Sequence, residues 1–146
     1  MPGILVGIDG SHHSERALEW AMKEAALRHT PLKVLAVHQA IMGWTGEGLN
    51  FPGDADLVQR VRTAAQETTD KVLAGLGGAR PEQVTVEAVN GIPAEALVRA
   101  AADADLIVLG SRGAGGFARL ALGSVSSQVA HHSPCPLVIV PGGEGQ

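Results

Sequence analysis

The sequence predicts an α/β fold in which a doubly wound parallel five-stranded sheet carries helices on both faces. Short apolar runs rich in β-branched residues alternate with amphipathic stretches of helical period, and glycine or proline clusters separate them. The resulting order is β-α-β-α-β-α-β-α-β. The 146 residues suit a single domain over 1–146.

The first half of the chain contains two predicted strands and two predicted helices. Apolar runs over Ile4–Ile8 and Leu32–His38 are typical of buried strands, and the turn sequence 9–11 closes the first. The helix between them stops at Thr30-Pro31 and has an inner face of Leu18, Ala21, Met22 and Ala25. Residues 39–53 are glycine-rich and predict a long loop. The next helix has a predicted inner face of Leu57, Val61, Ala64, Ala65, Thr68 and Val72.

The second half adds three strands and two helices. Alternation of apolar and polar residues from Val84 to Ala88 predicts a strand near a sheet edge. Pro93 opens a helix that runs to about residue 102, and residues 106–109 form a buried strand. A glycine-rich loop over 110–123, a helix over 124–131 and a last strand, Leu137–Val140, complete the chain.

Composition argues against several function classes. A net charge of −4 and the absence of tyrosine do not suit a nucleic-acid binder. No apolar run is long enough for a membrane span, and the N-terminus does not resemble a signal peptide. Cys135 is the single cysteine, so a reducing, cytoplasmic location is expected.

The loop over 110–123 is the most informative segment of the sequence. It leaves a buried strand, holds five glycines and leads into a helix at Ser124. Its charges are Arg112 and Arg119, both positive. Glycine backbone and a helix start are well suited to binding phosphate oxygens, although a plain flexible loop before a serine-capped helix fits the same residues.

Two other phosphate motifs do not fit. A Walker A loop needs a lysine after its last glycine, and this loop has none. Residues 113–118 match G-x-G-x-x-A formally, but the acidic ribose ligand expected about 20 residues later is absent.

The spacing Gly110-x2-Gly113-x9-Gly123-Ser124 resembles the signature of the ATP-binding class of universal stress proteins. The segments VGIDGS, DLIVLGSRG, LGSVSSQV and SPCPLVIVP extend the resemblance over nearly the whole chain. It implies strand order 3-2-1-4-5, the adenine nucleotide alpha hydrolase-like fold, and ATP as ligand with Mg²⁺ held through the phosphates. The residues implied to line the ribose and phosphates are Gly110, Arg112, Gly113, Gly123, Ser124, Val125 and Ser126.

The resemblance also implies site residues at the ends of other strands. Asp9 matches the acidic site residue of the family, and Val37 is expected to present its backbone to the adenine edge. The strand residues Ile8 and Leu109 complete the expected set. Asp9 accepts from a ribose hydroxyl or helps hold Mg²⁺ through water on this hypothesis, which we favour over the alternative that Asp9 or Ser11 only caps the first helix.

Several other features leave alternatives open. His131, His132 and Cys135 lack a fourth ligand for zinc, and the histidines more simply end a helix. His12 and His13 begin a helix where either could approach a nucleotide. The loop with Trp44 is a lid or a mobile surface segment. The apolar last strand is expected at the sheet edge, which predicts a homodimer through residues 136–141.

The leading functional hypothesis is an ATP-binding regulator of the stress-response type. A slow Mg²⁺-dependent ATPase, a cyclic AMP-binding protein and a nucleotide-free interaction scaffold are the alternatives. The regulatory protein partner is not predicted by any segment.

Overall fold

A computed structural model describes residues 2–39, 54–111 and 123–141. Strands and helices alternate along the chain, which confirms the predicted order. The strands are β1 (Ile4–Ile8), β2 (Leu32–His38), β3 (Val84–Asn90), β4 (Leu106–Gly110) and β5 (Leu137–Val140). The helices are α1 (His12–Arg28), α2 (Asp54–Ala74), α3 (Pro93–Ala101) and α4 (Ser124–His132).

The five strands form one parallel sheet in the order β3-β2-β1-β4-β5, as predicted. β1 lies at the centre, with Ile4 opposite Leu32 of β2 on one side and Leu106 of β4 on the other. β3 and β5 are the edge strands, so the half-exposed pattern of β3 has its expected place. The winding changes direction between β1 and β4, because β1 leads to β2 on one side and β4 to β5 on the other.

Each face of the sheet is covered by two helices with an apolar core beneath them. Side chains such as Val6, Val34 and Val108 point to the face covered by α1 and α2. Leu5, Leu35 and other residues of opposite parity point to the face covered by α3 and α4. The predicted inner face of α1, namely Leu18, Ala21, Met22 and Ala25, is fully buried.

The end of α1 shows how the local sequence stops a helix. The helix ends at Arg28, and His29 adopts the left-handed conformation with φ 53°. The His29 and Thr30 amides bond back to Ala26 and Ala25, which satisfies two terminal carbonyl groups. Pro31 cannot donate a backbone hydrogen bond, so it prevents the helix from continuing.

The predicted inner face of α2 is wrong at two positions. Leu57 is 39% exposed and Ala64 is exposed, whereas Thr69 is fully buried. The Thr69 hydroxyl donates to the Ala65 carbonyl at 2.7 Å, which makes burial of this polar side chain possible. At about 31 Å, a helix of this length exceeds the roughly 23 Å of a seven-residue strand, which accounts for the exposure of Leu57 in its first turn. Ala64 lies in the middle of the helix and is turned away from the core, whereas its neighbour Ala65 is buried.

Gly110 corrects the predicted boundary between the fourth strand and the glycine-rich loop. The sequence places it at the start of the loop, but it is the last residue of β4 and pairs with Val140 of β5. Among the helices described, none is long and apolar enough to cross a membrane.

Candidate functional site

The carboxyl ends of β1 and β4 lie side by side at the point where the winding reverses. Ile4 pairs with Leu106 and Val6 with Val108, so continuing this register places Ile8 level with Gly110. In open α/β sheets the crevice beyond such a pair of strand ends is the usual ligand position. The structure therefore brings Asp9 and Gly110 to the same crevice.

A tight turn follows β1 and holds the Asp9 carboxylate. Asp9 Oδ1 accepts from the Ser11 amide at 3.0 Å and from the Ser11 hydroxyl at 2.6 Å. Gly10 between them has φ +86°, a conformation that favours glycine. Asp9 itself is exposed at the strand end. The carboxylate thus supports the turn at the end of β1.

Ser11 and Ser14 complete the cap of α1. The Ser11 hydroxyl accepts from the Ser14 amide at 3.2 Å, so Ser11 is the N-cap residue. The buried Ser14 hydroxyl accepts from the Asp9 amide at 3.2 Å and donates to the Ser11 carbonyl at 3.0 Å. The capping interpretation of Ser11 is confirmed, with Asp9 acting on the cap through Ser11.

Gly110 lies between the first turns of α1 and α4. A Cβ at this position would be 2.8 Å from the His13 carbonyl oxygen and 3.0 Å from the His13 Cβ. On the other side, the buried Ser126 hydroxyl donates to the Gly110 carbonyl at 2.7 Å. Glycine at position 110 therefore lets α1 pack against the end of β4.

The start of α4 differs from that of α1. Its N-cap is Gly123, which has no side chain with which to cap the helix. The amides of Ser124, Val125 and Ser126 lie in the first turn, where a helix offers them no acceptor of its own. Ser124 is exposed and Val125 is half-buried. This first turn provides amide donors beside Gly110 and the positive end of a helix dipole.

The two ends of the glycine-rich segment lie close to each other. The Ser111 amide donates to the Val140 carbonyl at 3.0 Å, and the Gly123 amide donates to the Ser111 carbonyl at 2.7 Å. Ser111, which follows β4, and Gly123, which precedes α4, are therefore neighbours at the end of β4. Arg112 and Gly113, two of the expected site residues, lie outside the described residues, as do Arg119 and Trp44.

The remaining expected site residues have side chains in the core. Ile8 packs beneath α1 and α2, whereas Leu109 and the half-buried Val37 pack beneath α3 and α4. Ile8, Leu109 and Val37 can therefore contact a ligand at the strand ends only through their backbone groups. Val37 pairs with Val89 of β3 and is one strand away from β1, so it is less close to Gly110 than Asp9 is.

Sequence reasoning missed one feature beside Val37. The Gly91 amide donates to the His38 carbonyl at 2.9 Å, which fixes the start of the connection between β3 and α3. Ile92 follows in this connection and is 53% exposed. Ile92 is thus a large exposed apolar residue at the carboxyl edge of the sheet. The sequence pattern did not predict this position, because it depends on which strands are neighbours.

The residues considered for zinc have other contacts. His131 Nδ1 lies 2.9 Å from the Ser127 carbonyl oxygen in the last turn of α4. The Cys135 amide donates to the Ser133 hydroxyl at 3.2 Å. The histidines therefore end a helix, as the simpler interpretation expected.

The fold defines a doubly wound α/β protein with a crevice at the β1–β4 switch point. The universal stress protein family model matches residues 2–141, and the chain belongs to that family. It is 34% identical over 139 residues to a universal stress protein of Thermus aquaticus, covering 94% of this chain and 96% of that protein. It is 33% identical over 151 residues to universal stress protein Rv1996 of Mycobacterium tuberculosis, covering 95% of this chain and 48% of that protein. The chain thus spans about half the length of the mycobacterial relatives.

Solved structures of the family share the fold. Universal stress protein UspA of Lactobacillus plantarum superposes with TM-score 0.78 at 25% identity, over 95% of this chain and 97% of that one. A universal stress protein in complex with cAMP gives 0.67 at 28% identity, over 97% and 98%. The Archaeoglobus fulgidus protein in complex with dAMP gives 0.64 at 25% identity, over 96% and 98%.

Replacing Gly110 tests the packing at this crevice. Gly110→Ala is expected to lower the free energy of unfolding by about 1–3 kcal/mol, because the added methyl group meets the His13 backbone. Gly91→Ala is the control, since nothing lies within 4 Å of its added Cβ, and should change stability by less than about 0.5 kcal/mol. Urea unfolding measures both. Equal stabilities of the two variants would contradict the packing role of Gly110.

Proposed function

We propose that the chain is a nucleotide-dependent stress-response regulator that binds ATP at the crevice between β1 and β4. The observation that carries the proposal is the first turn of α4, which has no capping side chain and lies next to Gly110. A polyphosphate matches amide donors at a helix start better than any neutral ligand does.

In this proposal the phosphates bind to main-chain amides on the α4 side of the crevice. Ser124, Val125 and Ser126 donate from the first turn, and the glycine-rich loop adds Arg112 and Gly113. Gly123 lets the backbone approach the ligand without a side chain between them. Magnesium is expected to accompany the phosphates and to keep most of its waters.

The other side of the proposed site recognises the nucleoside. Val37 presents its backbone to the adenine edge, and Ile8 and Leu109 support the strand ends beneath the ligand. Asp9 accepts from a ribose hydroxyl or from magnesium-bound water. Its existing bonds to Ser11 hold the carboxylate in place for either contact.

A valine at position 123 tests the phosphate site. Gly123 has φ −62° and ψ 161°, an extended conformation that valine adopts readily. Gly123→Val is expected to weaken ATP binding by about tenfold or more, because its side chain occupies the path of the ligand to the α4 amides. Isothermal titration calorimetry with ATP and Mg²⁺ measures the change.

Gly78→Val is the matched control for this experiment. Position 78 has open space around its added Cβ and lies in the connection after α2, away from the crevice. The control should bind ATP as the wild type does. Unchanged ATP affinity in Gly123→Val would contradict the placement of the phosphates at α4.

Cyclic AMP is the second candidate ligand. It is supported by the family member whose structure contains cAMP, while the dAMP complex of the Archaeoglobus fulgidus protein supports adenine nucleotides in general. A cyclic phosphate needs fewer donors than a triphosphate, so the amides of α4 together with the loop favour ATP. Native mass spectrometry of protein purified from cells distinguishes the two by the mass of the retained ligand.

Slow ATP hydrolysis is an alternative activity of the same site. Phosphoryl transfer depends on positioning and charge neutralisation, and the sequence assigns no base to orient water. Hydrolysis is therefore expected to be weak at most. The role of Asp9 in any such turnover can be tested separately from its role in the cap.

Asp9→Asn keeps an oxygen acceptor for Ser11 but removes the charge, whereas Asp9→Ala removes both. If Asp9 acts through magnesium, both variants should reduce ADP release in the presence of Mg²⁺ by about tenfold or more. If it acts only through the α1 cap, Asp9→Ala alone should lose activity, together with about 1 kcal/mol of stability. Chromatographic measurement of ADP against a protein-free blank decides between these roles.

We also propose that two copies of the chain pair along β5. β5 is an edge strand of four apolar residues, and three of them are only half-buried in the single chain. An apolar edge of this kind favours pairing with another strand. Residues 136–141 would form the contact.

Charge on β5 should separate the two copies. Ile139→Lys is expected to convert a dimer of twice 15.0 kDa into a monomer at micromolar concentration, because a lysine on an edge strand opposes pairing with another strand. Lys on the other edge, Val89→Lys in β3, is the control and should leave the mass unchanged. Sedimentation equilibrium measures both, and a wild-type monomer would contradict the dimer.

A further inference from the structure

His13 lies over the end of β4, at the side of the crevice opposite to α4. Its carbonyl oxygen and Cβ contact the position that a Gly110 side chain would occupy, at 2.8 and 3.0 Å. The Cβ atom to which the imidazole is attached therefore lies beside Gly110, which precedes the glycine-rich loop. The sequence left open whether His12 or His13 approaches a ligand.

The Nδ1 atom of His13 is buried and has no hydrogen-bond partner in the part of the chain that the structure describes. Buried polar nitrogens in folded proteins nearly always have a partner. The Cβ that carries the ring lies against Gly110, at the crevice where the proposed function places an anionic ligand. A ligand at that place is an available partner for Nδ1.

The other polar side chains near the start of α1 have contacts of their own. Asp9 Oδ1 accepts twice from Ser11, and Arg16 Nε donates to the Pro141 carbonyl at 3.2 Å. His12 is exposed and borders a separate groove between α1 and α2, together with Glu15 and Lys71, which pair at 3.3 Å. Of the two histidines at the start of α1, His13 is therefore the one that suits a contact in the crevice.

We propose that His13 donates a hydrogen bond from Nδ1 to a phosphate oxygen of the bound nucleotide, an assignment that rests on the proposed function. A neutral imidazole can donate from Nδ1 when its other nitrogen is deprotonated, so no charge on the ring is required. The ligand is then held from two sides, by amides of α4 and by a side chain of α1. His13 becomes a specificity residue that distinguishes nucleotides from nucleosides.

A pair of substitutions separates the hydrogen bond from the shape of the ring. His13→Asn places an amide nitrogen as many bonds from Cα as Nδ1 is, and His13→Leu places a methyl group there. His13→Leu should weaken ATP binding by about tenfold or more, as loss of a hydrogen bond to a charged group implies, and should leave adenosine binding within about twofold. His13→Asn should stay within about threefold of the wild type for ATP.

His12→Leu is the positional control and should bind both ligands as the wild type does. Calorimetry with ATP, AMP and adenosine gives the affinities, and circular dichroism confirms that each variant folds. A second measurement uses the wild-type protein labelled with 15N-histidine. The NMR resonance of His13 Nδ1 should shift when ATP is added but not when adenosine is added. The His13 variants assign the resonance.

The outcomes separate this assignment from the proposed function. Wild type that binds ATP, with His13→Leu binding it equally well or losing ATP and adenosine alike, overturns the role of His13 alone. An Nδ1 resonance unmoved by ATP at saturation does the same. Wild type that binds none of the three ligands overturns both the ATP site and the assignment.

Discussion

The contact between the His13 backbone and Gly110 is the constraint on which the arrangement of the crevice depends. It seats the first turn of α1 on the end of β4, across the junction where the winding of the sheet reverses. The Ser126 hydroxyl binds the same residue from the opposite face. One glycine without a side chain thus sets the separation of two helix starts, and with it the width of the space between them.

Gly110 has a packing role that its place in the glycine spacing did not predict. Glycine spacing predicted close approach of a ligand to the backbone. The structure shows close approach of a helix to the same backbone, inside a strand rather than after it. The spacing of glycines in a sequence indicates positions where a side chain does not fit. It does not show which neighbouring group would clash with that side chain.

Most of the fold followed from the sequence because each strand is a short apolar run and each helix has a regular period. Bounds and strand order agree closely, and the inner face of α1 is buried as predicted. The inner face of α2 was partly wrong, because a threonine that bonds its own helix can replace an apolar residue in the core. The sequence predicted Asp9 at the crevice. It did not predict the hydrogen bonds from Ser11 to Asp9, because these depend on the geometry of the turn. The placements of His13 and Ile92 required knowledge of which strand ends are adjacent.

The unequal caps of α1 and α4 have an energetic consequence. On the α1 side of the crevice the Asp9 and Ser14 amides donate to serine hydroxyls, whereas the α4 side begins at a glycine. On the proposed function, a bound anion therefore gains main-chain hydrogen bonds chiefly from α4. The hydrogen bonds at the start of α1 are then the same with and without the ligand.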